Sequence, residues 1–191
     1  MTDGVPPNDA PLAGEERPAA LRWGVIAAFV FVIALLVLLG LGLRRTTQGP
    51  LGVGDQVPDL TLTTFDSGDI HFNELRGQVV VVNFWASWCK PCEGEALELE
   101  QAYQMYRDEG VLFLGVDYVD TEPEARQYLA RFNVTYPNGP DLGTRISQAF
   151  RIRGVPETYV IDPNGRLAAV QIGPYVSLEE IVGHIETALA Q

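Results

Sequence analysis

Cysteine is scarce in this chain. Two occur among 191 residues, Cys89 and Cys92, with two positions between them. A disulfide-held scaffold spreads more cysteines along its length, and a structural zinc site takes four ligands. Two cysteines, with His71 and His184 as the only histidines, supply neither. Positive charge is scarce as well. Lys and Arg total 13 against 25 Asp and Glu, a net charge of −12, and Lys90 is the only lysine. That balance excludes the basic footprint of a nucleic-acid binder. Apolar residues are present in ordinary globular proportion, 47% of the chain, so a packed core is expected.

The apolar residues are unevenly spread. Residues 1–22, with Pro6, Pro7, Pro11 and Pro18 and no hydrophobic period, read as a disordered tail. Residues 23–43 form a run of 21 without a charge. As a helix it would rise about 30 Å, the thickness of a bilayer core. Arg22 and Arg44–Arg45 bracket it, and Trp23 suits the interface. The run is longer than the apolar part of a signal peptide, and Leu41–Gly42–Leu43 is a poor cleavage site. The expectation is an uncleaved transmembrane anchor at 23–43, a linker at 44–54 and a folded domain at 55–191. Arg17 and Arg22 on one side balance Arg44 and Arg45 on the other, so charge does not orient the anchor. The thiol chemistry below does, with the N-terminus cytoplasmic and the domain extracytoplasmic.

Within the domain, Leu60–Thr64 and Asp69–Phe72 alternate around Asp66–Ser67–Gly68 and predict a hairpin. Val79–Trp85 is a continuous apolar run, as in a strand buried on both faces. Helical spacing over Cys92–Asp108, a strand at Val111–Tyr118, a helix at Glu122–Phe132 and a short helix at Asp141–Phe150 with an acidic start follow. Thr158–Asp162 and Leu167–Ile172 predict a second hairpin across Pro163–Asn164–Gly165. Ser177–Leu189 reads as a closing helix capped by Ser177. The order is α/β with a mixed central sheet flanked by helices.

Cys89 and Cys92 fall where the first central strand turns into its helix. Sites in such sheets lie beyond the carboxyl ends of strands, and a helix N-terminus favours a thiolate. Cys89 is expected as the exposed attacking thiol and Cys92, one turn inside, as the resolving thiol. Pro91 fits the first turn, where its missing amide costs nothing. Lys90 is expected to lower the thiolate pKa, and Trp88 to wall one side of the pair. An inert structural disulfide across so short a loop would stabilise little.

At Asn83-Phe84-Trp85-Ala86-Ser87-Trp88-Cys89-Lys90-Pro91-Cys92 the chain resembles the thioredoxin superfamily, and within it the anchored TlpA/ResA/DsbE(CcmG) group. The resemblance spans 55–191 and includes Gly54-Asp55-Gln56-Val57-Pro58 and Gly154-Val155-Pro156-Glu157-Thr158. It implies a thioredoxin-like fold with an N-terminal hairpin extension. It implies a cis Val155–Pro156 bond beside the disulfide, with the Val155 backbone open to a substrate strand. It implies acidic residues near the thiols, Glu95 and Glu157, that raise the thiol pKa and carry protons. Leu97 departs from the group's usual proline, so the helix is expected to run without that kink.

The activity so implied is thiol–disulfide exchange with no cofactor. The substrates would be disulfide-bearing proteins, apocytochrome c among them, and an integral-membrane thiol donor would re-reduce the pair. Other classes were weighed on the residues. A general TlpA-like reductase or oxidant of secreted proteins shares every feature above. A Sco-like copper chaperone uses Cys-x-x-x-Cys and a distant His, whereas here two residues intervene and neither histidine is obviously placed. A peroxiredoxin needs Pro and Thr/Ser ahead of a lone cysteine, where this chain has Trp85-Ala86-Ser87-Trp88. His71 and His184 read as ordinary edge residues, and Asp117 and Asp120 as a solvated acidic loop.

Overall fold

The computed structural model describes residues 19–46 and 50–191, and within 19–46 the side chains at 23, 24 and 26–41. The tail read over 1–22 lies outside the described residues as far as 18, and 47–49 of the linker lie outside them too. The chain divides into two units between Gln48 and Gly49.

In the first unit, α1 (Ala19–Thr46) is one helix. Its described apolar side chains, from Trp23 through Phe29 and Leu35 to Leu41, are exposed. Among the described residues no helix is long and apolar enough to cross a membrane.

The second unit begins ahead of Asp55. Leu51 is buried and its amide donates to Phe150 O, while the Gly54 amide donates to Leu167 O. The predicted hairpin is β1 (Thr61–Thr63) with β2 (Asp69–His71), antiparallel. Then come β3 (Val79–Trp85), α2 (Lys90–Tyr106), β4 (Val111–Tyr118), α3 (Glu122–Arg131), β5 (Asn138–Asp141), α4 (Arg145–Phe150), β6 (Glu157–Ile161), β7 (Leu167–Ile172) and α5 (Leu178–Leu189). The sheet order is β5-β4-β3-β6-β7. The β3–β4 and β4–β5 pairs are parallel, and β3–β6 and β6–β7 antiparallel. This is the mixed sheet that the element order implied.

β3 is central, and all seven of its residues are buried, which is why its sequence does not alternate. Val79 and Val81 face a core shared with Leu99 and Ala102 of α2, Phe113, and Ile181 and Ile185 of α5. Val80, Val82 and Phe84 face a second core with Leu62, Phe72, Leu114, Phe150 and Tyr159. The Phe84, Phe150 and Tyr159 rings meet edge to face with centroids 5.0–5.7 Å apart, a favoured aromatic geometry.

β5 was not anticipated. Asn-Gly-Pro-Asp has no strand propensity; it is an edge strand, where a proline is tolerated. Its position is made by neighbours. A side chain at Gly139 would meet Thr63 O at 2.2 Å, so the hairpin sits directly on the bare glycine. The expected helix from Asp141 is therefore shorter. Asp141 ends β5 and its carboxylate accepts from the Ile146 and Ser147 amides, supplying the acidic start from outside α4.

Candidate active site

Cys89 is the N-cap of α2 and Pro91 lies in the first turn. The turn before it is closed by the Cys89 amide donating to Ala86 O. Cys89 and Cys92 are joined as a disulfide with Cα atoms 5.4 Å apart. The Cys92 amide donates to Cys89 Sγ at 3.2 Å. That contact is the expected one between a helix N-terminus and the sulfur that becomes thiolate on reduction.

One expectation is corrected here. Cys89 is not an exposed attacker: it is 3% accessible, and Cys92 1%. The pair is packed with Trp85, Ala86, Ala96, Ala125 and Tyr128, and Phe65 and Val155 lie against the same cluster. Burial comes from long-range packing, which spacing does not report. What surface remains is larger on Cys89. Trp88 is exposed; its indole Nε1 donates to Val119 O at 3.3 Å and its ring meets the edge of Tyr118. It is fastened to the turn after β4.

Val155–Pro156 is a cis bond. Pro156 is buried and its carbonyl accepts from the Gly173 amide, while Val155 is half-buried against the cysteine cluster. The structure therefore brings Val155 to the cluster that holds the sulfurs.

Glu95 is 1% accessible on α2. Asn83 Nδ2 donates to it at 3.0 Å and the Tyr175 amide at 2.8 Å. The same Asn83 nitrogen donates to Thr158 Oγ1 at 3.0 Å. Burial raises the Glu95 pKa to about 7, against the two donors, which lower it. α2 carries Leu97 on its exposed side in an unbroken helix.

Glu157 is buried too, but it is not brought together with Glu95. Along β6, Thr158 reaches Asn83 on the α2 side, so Glu157 and Tyr159 point to the opposite face. The Glu157 carboxylate accepts from the Arg153 amide at 2.8 Å and Tyr159 OH at 2.6 Å. It anchors the loop that carries the cis-proline. Lys90 lies on the surface at the start of α2. Its side chain is 82% exposed and paired with Glu93 at 2.9 Å, which Arg131 approaches at 3.4 Å. The lysine charge is thus opposed locally, and an exposed pair of this kind has little reach.

Several residues around the pair were not singled out from sequence. Tyr128 stacks on Trp85 with centroids 4.4 Å apart and donates its hydroxyl to Cys92 O at 2.9 Å. Trp85 Nε1 donates to Asn138 Oδ1 at 2.8 Å. That bond passes over Gly115, where a Cβ would stand 1.6 Å from Asn138 Oδ1 and 2.9 Å from Trp85 Nε1. Asp117 and Asp120, read as solvated, are buried. The signal for Asp117 lay in its strand: it has the parity of Val111 and Phe113, the core-facing residues of β4. His71 bonds Thr61, and His184 bonds Tyr175.

Residues 53–170 match the AhpC/TSA family. The chain belongs to that family. Within this family it is similar to the thiol-disulfide oxidoreductase ResA of Geobacillus thermodenitrificans (strain NG80-2), 30% identical over 161 residues, 82% of this chain and 92% of the relative. A thiol:disulfide interchange protein of the thioredoxin family from Chlorobium tepidum TLS superposes with a TM-score of 0.64 at 26% identity, covering 74% of this chain and 98% of that one. MTB dsbF, solved in mixed oxidized and reduced forms, gives a TM-score of 0.64 at 26% identity over 69% of this chain and 98% of its own. The AhpC/TSA chain described here is thus a thioredoxin-like thiol-disulfide oxidoreductase of ResA/DsbE type, with Cys89 and Cys92 as its redox pair.

Proposed function

We propose that the chain is a membrane-anchored, extracytoplasmic reductant of protein disulfides, its substrates including the Cys-x-x-Cys-His segments of apocytochrome c. The observation that carries the reading is Glu95, a buried carboxyl on the sulfur-bearing helix whose pKa of about 7 lets it hold or release a proton at neutral pH. Reduction of a substrate needs such a group. Cys89 thiolate attacks one substrate sulfur; the substrate S–S bond breaks and its departing sulfur takes a proton. Cys92 then gives up its proton and attacks Cys89 Sγ, which releases the second substrate thiol. Two electrons pass to the substrate and the enzyme is left as the disulfide. An integral-membrane thiol donor returns them.

Val155, Pro156, Trp88 and Pro91 are assigned to substrate contact. The half-buried Val155 beside the cluster supports a strand-like approach of the substrate backbone. The proposal takes 1–22 as a tail, 23–43 as the anchor, 44–54 as a linker and 55–191 as the domain, with the N-terminus cytoplasmic. The exposed apolar side chains at Phe29, Phe31, Leu36 and Leu39 of α1 fit such an anchor. The test is the reduction potential of the Cys89–Cys92 pair together with reduction of an oxidised apocytochrome c peptide. A strongly reducing potential and turnover of the peptide are expected. An oxidising potential, or normal c-type cytochromes in a deletion strain, would overturn the reading.

A further inference from the structure

The turn that leaves β4 holds the segment in front of the cysteines at three points. Asp120 Oδ2 accepts from the Ser87 amide at 2.6 Å. Val119 O accepts from the Trp88 indole, and Tyr118 meets the Trp88 ring. Val119 has φ 48, a left-handed conformation that a β-branched residue adopts only under strain. Asp120 follows Asp117 by three residues and acts on it through its charge and a side-chain hydrogen bond. Asp120 Oδ1 is occupied by the Thr121 amide. Asp117 is 0% accessible, and among the described residues no N–H or O–H group is bonded to either of its oxygens.

Two carboxyls in contact are both acceptors when ionised. The Asp117–Asp120 contact closes only if one of them carries a proton. Asp120 already receives two amides, so the proton belongs on Asp117. We propose that Asp117 is a positioning residue for disulfide exchange: as the neutral acid it donates its proton to Asp120, and Asp120 in turn fixes the Ser87 amide two residues before Cys89.

The surroundings agree. In register beside Asp117, β3 presents Trp85 and β5 presents Pro140, neither of them charged. Across Trp85, α2 contributes the joined cysteines and, farther along, Glu95, while α3 contributes Tyr128. Tyr128 is pushed far above the usual phenol range by burial, so it stays neutral. Among the described residues no cation acts on Asp117. Burial first, and then the Asp120 charge and hydrogen bond, raise its pKa to about 8. Loss of the proton above that pH leaves two adjacent buried charges, which separate and free the Ser87 amide.

The experiment uses the full chain in detergent, in the disulfide form so that no thiol titrates, with the aspartate side-chain carboxyls labelled with carbon-13 and the amides with nitrogen-15. Aspartate-selective labelling leaves Glu95 out of the carbon spectrum. One aspartate carboxyl is expected to be neutral at pH 7 and to ionise near pH 8, and the Ser87 amide signal is expected to shift with the same midpoint. In Asp117→Asn that carboxyl signal is absent, and the side-chain amide donates to Asp120 at every pH. The reduced variant is expected to match the wild-type exchange rate with a small disulfide near pH 7, and to differ from it by about threefold or more at pH 9. Ionisation of every aspartate below pH 6, a Ser87 amide unmoved through the titration, or a rate ratio independent of pH would each overturn the proposal. If Asp117→Asn does not fold, the native carboxyl and Ser87 titrations decide it alone. Their outcome does not depend on which protein substrate the enzyme serves.

Discussion

Glu95 and Asp117 are both buried carboxyls on the face of the sheet that carries the cysteines, yet their settings are opposite. Glu95 receives two N–H donors, from Asn83 and Tyr175. Asp117 receives none, and stands against a second carboxyl. Burial raises both pKa values, to about 7 and about 8. The donors keep the first close to neutrality, where a proton can be exchanged during turnover. Without donors and beside a like charge, the second keeps its proton across the neutral range. Donor supply, not depth, separates a carboxyl fit for proton transfer from one fit for holding structure.

The largest expected effect comes from Gly115, two residues before Asp117 on β4. Gly115→Ala drives a methyl into the Trp85–Asn138 bond and is expected to cost about 3 kcal/mol, the upper end for overpacking, measured by urea unfolding. Loss much below 1 kcal/mol would show that Asn138 gives way without cost.

The second is a pH dependence. Both acids are raised in the folded state, so the folded protein binds protons that the unfolded chain has lost. Their stabilisation is complete below the unfolded values near 4. It is lost as pH rises, through about 7 for Glu95 and about 8 for Asp117. Between pH 5.5 and 8.5 the disulfide form is expected to lose about 5 kcal/mol at most. Both acids contribute below pH 7, so Asp117→Asn should remove the loss above pH 7 and about half of that below it, and Glu95→Gln the other half. Melting curves at several pH values separate them, and a profile that both variants leave unchanged would break the comparison.

The third is kinetic. Glu95→Gln keeps a neutral acceptor for the Asn83 and Tyr175 donors but cannot carry a proton. It is expected to slow exchange at neutral pH by about tenfold, below the usual contribution of a general acid–base, with the pH profile losing its step near 7. The smallest is Lys90→Ala. Removing an exposed charge already paired with Glu93 is expected to change stability by less than about 1 kcal/mol and to leave the thiol titration nearly in place.

Much of this arrangement was legible. Val79–Trp85 announced a central strand because both its faces are buried, and Cys89 and Cys92 at its end announced the chemistry. The resemblance supplied the cis-proline and pointed to Glu95. What stayed hidden was set by contacts between distant segments. β5 is a strand because β4 lies beside it and the hairpin covers Gly139. Cys89 is covered by residues from β3 and α3. Glu157 belonged to the same motif as Pro156, but the pleat turned it to the far face. Asp117 was partly legible, since strand parity placed it inward. Its lack of donors was not, because that depends on what every neighbouring element happens to offer.

Asn83 has two amide hydrogens on one nitrogen, and both are spent, one on Glu95 and one on Thr158. Thr158 is two positions past Pro156. Whatever charge Glu95 gains or sheds is therefore felt through a single atom by the strand that emerges from the cis-proline loop, so the carboxyl on the sulfur-bearing helix and that loop share one hinge pin.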